Sequence, residues 1–104
     1  MRTIYKYRLN TNPQDLMPPK DACILKVQTQ LNIPYMWMEV DTEKPVELRR
    51  FMVYETGEEI KEEHAKYIDT YQTDNFYMYH VYEMYLYKAV GFDPGPADSK
   101  ATML

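Results

Sequence analysis

The residues of this chain best suited to hold a ligand are flat rings, amides and guanidiniums rather than nucleophiles. Tyr35 and Trp37 stand two apart, as do Gln28 and Gln30, and Arg49 is followed directly by Arg50. A planar ligand such as a nucleobase needs aromatic faces to stack on, amides to read its edges and cations to meet phosphate. Tyr35 and Trp37 are the stacking candidates, Arg49 and Arg50 the phosphate candidates, and Gln28, Gln30 and Gln72 the edge readers. The same residue types also pack across strands and cover subunit interfaces, so residue type alone leaves both uses open.

Catalytic and metal chemistry have less to work with. A nucleophile paired with a base would need Cys23 or Ser99 beside a histidine, and nothing in the local sequence activates either. His64 sits in an acidic stretch and His80 in the middle of a strand-like run, where an imidazole is expected to be satisfied by its neighbours. Glu58, Glu59, Glu62 and Glu63 lack the alternating oxygen ligands and central glycine of a calcium loop. Of only three glycines, two lie beyond residue 90, so no glycine-rich phosphate cradle exists. The expectation is a protein with no catalytic residue, no metal ligand and no cofactor.

Strands must position these groups. Residues 3–9, 22–31, 35–41, 46–55, 67–73 and 76–87 each alternate in the period-two pattern of a half-buried strand, rich in Tyr, Val, Ile and Thr. Asn32, Ile33 and Pro34 read as a hairpin turn. Asp74 and Asn75 read as another. The proline-bearing stretch 10–21 reads as a loop, and the glutamate-rich stretch 55–66 as a solvated loop or a single helical turn. In the last strand Tyr77, Tyr79, Val81 and Tyr85 share a face while Phe76, Met78, His80, Tyr82 and Met84 share the other. Large side chains on both faces predict burial on both sides, one by the core and the other by a partner or another sheet. Tyr77, Tyr79, Val81 and Tyr85 are therefore the expected interface of a homo-oligomer. The fold class that follows is all-β, about six short, mainly antiparallel strands in a small sandwich or open barrel. It forms one domain over 1–90, with a Gly- and Pro-punctuated tail over 91–104.

The bulk numbers agree with that outline. The 104 residues provide one domain's worth of chain. Eleven Tyr reconcile an apolar fraction of 45% with a mean hydropathy of -0.62. A net charge of -4 argues against a duplex DNA partner, which needs a basic footprint. The single Cys23 forms no internal disulfide, and no apolar run approaches a membrane span or a signal peptide. A cytoplasmic protein with no membrane partner is expected.

Several fragments in order resemble a family of small tailed-phage proteins known as a domain of unknown function. They are TIYKY near the start, MPPKDACILKVQTQ, PYMWMEVD, RRF followed by ETG, and YIDTYQT leading to HVYE, together spanning residues 2–83. The chain also looks like the phage sponge proteins that sequester the cyclic oligonucleotide signals of bacterial immunity without cleaving them. That resemblance implies a phage accessory protein acting in the cytoplasm of an infected bacterial cell, with a cyclic oligonucleotide as its ligand. The competing expectations are an inhibitor that binds a host defence enzyme or nuclease, and a structural or assembly accessory of the virion.

Overall fold

Alternation along one strand organises the molecule. Between Ile33 and Asp41, Met36, Met38 and Val40 are buried, while Tyr35, Trp37 and Glu39 between them are half-buried. This is the period-two signature of a strand with one face on a core. The computed structural model describes residues 1–85. They form seven strands: β1 (Arg2–Arg8), β2 (Gln14–Leu16), β3 (Cys23–Gln30), β4 (Ile33–Asp41), β5 (Arg49–Glu55), β6 (Ala65–Gln72) and β7 (Met78–Met84). No helix occurs among the described residues. Two antiparallel sheets result, one ordered β1-β4-β3 and the other β2-β5-β7-β6. The expected all-β class holds, with one strand more than the sequence pattern suggested. The tail over 91–104, and the stretch after Tyr85 that the pattern carried on to Tyr87, lie outside the described residues.

One core joins the sheets. Met36, Met38, Val40 and Val27 come from the three-stranded sheet, and Phe51, Val81 and Leu16 from the four-stranded one. Arg49, Phe51 and Val53 of β5 face inward, as their alternation predicts. Inside this layer Arg49 is bound bidentately by Glu83, with Nε 2.7 Å from Oε2 and Nη2 2.8 Å from Oε1. Its Nη1 also donates to the Ala22 carbonyl (2.7 Å). The two side chains are only 16% and 17% exposed, so water screens the pair little.

Three expectations are corrected here. Gln14–Leu16 is a strand, not a loop: the Asn12 side-chain amide donates to the Val53 carbonyl (2.9 Å) and accepts from the Val53 N–H (3.0 Å), extending the pairing of β2 with β5 by one rung. The β3–β4 turn is Leu31–Asn32 rather than Asn32–Pro34, with φ of 51° and 65°, the left-handed pair that a two-residue hairpin requires. Leu31 is therefore a turn tip, 96% exposed, and not the last residue of the strand expected over 22–31. Finally, a bulge between Ile24 and Lys26 breaks strict alternation in β3: Ile24 pairs with the inward Met38, and Leu25 is left exposed.

The sheets are fastened along one side. The β3 edge lies beside the β6 edge, where the Val27 N–H donates to Asp69 Oδ2 (2.9 Å), Thr29 Oγ1 to the Gln72 carbonyl (3.3 Å) and the Asp74 N–H to Asn32 Oδ1 (2.7 Å). These contacts occupy edge groups that would otherwise invite another strand.

Breaking the inner ion pair tests this packing. Glu83→Ala leaves the Arg49 guanidinium inside the layer with one carbonyl partner, and should lower the free energy of urea unfolding by about 2–4 kcal/mol. A loss under about 0.5 kcal/mol would show that solvent already screens the pair.

Candidate functional site

Burying Met36, Met38 and Val40 turns Tyr35 and Trp37 outward, and the register then decides what stands beside them. Trp37 lies opposite Lys6 of β1 on one side and Lys26 of β3 on the other; Tyr35 lies opposite Arg8 and Gln28. Directly opposed residues of an antiparallel ladder point to the same face. The outer face of the three-stranded sheet thus carries two adjacent rungs, Arg8–Tyr35–Gln28 and Lys6–Trp37–Lys26. Gln30, opposite Ile33, extends the first of them by one residue pair. Lys6, Arg8, Lys26, Gln28 and Gln30 are exposed, and the two rings are half-buried.

The rings lie 6.1 Å apart, centroid to centroid, with planes inclined at 53°. The Lys6 ammonium stands 4.2 Å from the Tyr35 centroid and 5.8 Å from that of Trp37, within cation–π range of both. Neither rung contains a carboxylate. The nearest on this face, Glu39, belongs to the next rung and is bound by Arg2 Nε. Among the described residues Lys6, Arg8 and Lys26 form no ion pair. A chain of net charge -4 thus gathers three positive charges on one small patch. The acidic loop lies on the other sheet: burial first, then the charges of Glu62 and Glu58, push the Tyr54 phenol above its ordinary range. Tyr54 of β5 alternates with the inward Phe51 and Val53, so these carboxylates sit by the opposite outer face. Such separation of charge directs an anion toward the three-stranded sheet.

Four of the seven expected ligand residues meet on this face: Tyr35, Trp37, Gln28 and Gln30. The other three do not. Arg49 is enclosed between the sheets, and although burial disfavours its charge, the Glu83 hydrogen bonds and charge outweigh that and hold its pKa above the ordinary value. Arg50 is on the outer face of the other sheet, bidentate to Asp15 at 2.7 and 2.9 Å. Gln72 is at the end of β6. The cations that stand beside the two rings are Lys6, Arg8 and Lys26 rather than Arg49 and Arg50. Their signal was present as alternation, since all three fall on the polar side of their strands, but only the pairing of β1 with β4 brings Lys6 and Arg8 to the rings, and that of β3 with β4 brings Lys26.

The expected interface also divides. Val81 is fully buried in the core, and Tyr79 turns inward to stack on Tyr71 at 5.3 Å and 23°. A second sheet of the same chain therefore covers the face assigned to a partner at these two positions. Tyr77 and Tyr85 are 61% and 51% exposed. On the outer face of β7, Tyr82 meets Tyr54 and Tyr67 edge-on at 5.5 and 5.6 Å. His80 there is held between Thr56 Oγ1 (2.8 Å) and Thr70 Oγ1 (3.0 Å). Cys23 is exposed on β3. Among the described residues no cluster of three or more His, Cys, Asp or Glu could hold a metal ion, and no helix is long and apolar enough to cross a membrane.

A family model described as a domain of unknown function, DUF7352, matches residues 1–90, and the chain belongs to that family. No curated protein and no solved structure matches it.

The engagement of Arg50 is open to direct measurement. Its hydrogen bonds hold the Asp15 carboxyl below the ordinary aspartate value, against a smaller opposing effect of burial. With the folded pKa depressed, the pair's contribution to stability is present above the unfolded value of about 4 and is lost as pH falls through the folded one. Side-chain exposures of 41% and 43% keep that contribution small. In an NMR titration Asp15 should titrate below an ordinary aspartate, and Arg50→Gln should move its midpoint upward. An unmoved midpoint would return Arg50 to the pool of free cations.

Proposed function

We propose that this chain is a non-enzymatic capture protein that binds a cyclic oligonucleotide on the outer face of its three-stranded sheet and withholds it without cleavage. The observation that carries the reading is the pair of adjacent rungs, in which two aromatic rings are flanked by three cations unpaired among the described residues and by an exposed amide. Stacking on an aromatic side chain is sequence-tolerant and contributes about 1–3 kcal/mol per base. Lys6, Arg8 and Lys26 supply the positive charge for phosphate, and Gln28 and Gln30 the donors and acceptors for base edges. Capture needs affinity and no chemistry.

In this reading the protein is a phage accessory factor acting in the cytoplasm of the infected bacterium, where it lowers the free concentration of an immune signal. That setting rests on the resemblance of the ordered motifs to those of small tailed-phage proteins. Assembly into a homo-oligomer belongs to the same proposal, with the exposed Tyr77 and Tyr85 as its candidate contacts.

Trp37 is the only tryptophan, so its fluorescence reports on this face alone. Titration with a panel of cyclic dinucleotides should quench it saturably, and ligand released by heat denaturation should be intact. Tyr35→Ala and Lys26→Gln should each weaken binding about five-fold or more, while Arg50→Gln should leave it unchanged. No quench with any member of the panel would refute the reading, and a linear product would replace capture with hydrolysis.

A further inference from the structure

Lys6 occupies the surface on which a base would stack. Its ammonium lies against the Tyr35 ring at 4.2 Å and reaches Trp37 at 5.8 Å. The reason is local. Lys6 has no carboxylate in its own rung or the next toward Arg8, and Lys26 and Arg8 repel it from either side. The negative faces of the two rings are the most favourable place left for its charge.

We infer that Lys6 is a specificity-determining residue that makes this face selective for ligands carrying both a base and a phosphate. The inference rests on the capture reading and sharpens it. A neutral nucleoside must lift the ammonium off the rings and leave it among like charges, so it loses a cation–π contact for each stack it gains. Inorganic phosphate draws Lys6, Arg8 and Lys26 together but puts nothing on the uncovered rings. A nucleotide does both: its phosphate takes the ammonium and its base takes the vacated ring. The two halves of the ligand thereby assist each other through one flexible side chain, whose tetramethylene stem lets the charge move while its backbone stays in the β1 ladder.

Lys6→Met keeps an unbranched apolar side chain, one heavy atom shorter, and removes the charge. The probes are adenosine, inorganic phosphate, adenosine monophosphate and cyclic di-adenylate, read by Trp37 quenching, with thermal unfolding as the control for folding. In the wild type, the two nucleotides should bind at least tenfold more tightly than adenosine or inorganic phosphate. In Lys6→Met, adenosine affinity should hold or rise while affinity for both nucleotides falls about tenfold, so that the discrimination collapses; Lys6→Arg should retain it. The free protein offers a second readout, since ring currents should shift the Lys6 ε-methylene protons upfield and adenosine monophosphate should reverse the shift. Equal weakening of adenosine and nucleotides in Lys6→Met, or ε-methylene protons at ordinary positions, would overturn the role of Lys6 while leaving capture intact. Absence of binding by every probe and by the wider cyclic dinucleotide panel would remove the capture reading, and this inference with it.

Discussion

The central constraint is that β4 is the middle strand of its sheet and can bury only one face. Placing Met36, Met38 and Val40 in the core fixes Tyr35, Trp37 and Glu39 on the outside, because a shift of one residue would reverse every side chain. The register with β1 and β3 then sets Lys6, Arg8, Lys26 and Gln28 beside the rings. The core and the candidate site are two faces of one alternation, and the packing that stabilises the sheet also organises the candidate face. The bulge at Leu25 belongs to the same arrangement. It returns Lys26 to the outer face opposite Trp37 while Ile24 and Val27 both point inward.

The two sheets divide the polar chemistry between them. In the four-stranded sheet the guanidiniums are consumed by structure: Arg49 ties Glu83 and the Ala22 carbonyl across the inner layer, and Arg50 ties β5 to β2 through Asp15. In the three-stranded sheet the cations beside the rings form no ion pair among the described residues. A neighbouring ion pair thus distinguishes a structural cation from one available to a ligand, and residue type does not. Adjacent arginines are a conspicuous sequence feature, yet each is held by a carboxylate; the separated Lys6, Arg8 and Lys26 form no ion pair among the described residues.

How much of this was legible in the sequence follows from the range of each interaction. Strand identity rests on period-two alternation and tyrosine-rich composition, which are local, and six of the seven strands lie largely within the expected segments. The stacking pair and the two glutamines are also local, since β3 and β4 form a hairpin. The pairing of β1 with β4 joins residues 27 to 39 apart in sequence, so the presence of Lys6 and Arg8 beside Tyr35 and Trp37 was not legible. Nor were the partners of Arg49 and Arg50, 34 and 35 residues away in sequence. Gln14–Leu16 was missed because three residues cannot display a period. Val81 and Tyr79 were assigned to a partner because alternation identifies two apolar faces without saying whether a second sheet of the same chain covers one of them.

The most direct test of the account is residue-by-residue mapping of ligand contact by amide and side-chain NMR during titration with a cyclic dinucleotide. The account predicts shift changes concentrated on Lys6, Arg8, Lys26, Gln28, Tyr35 and Trp37, with the Arg49 and Arg50 guanidinium signals unmoved. Changes centred on β5, β6 and β7, with the three-stranded sheet silent, would contradict it.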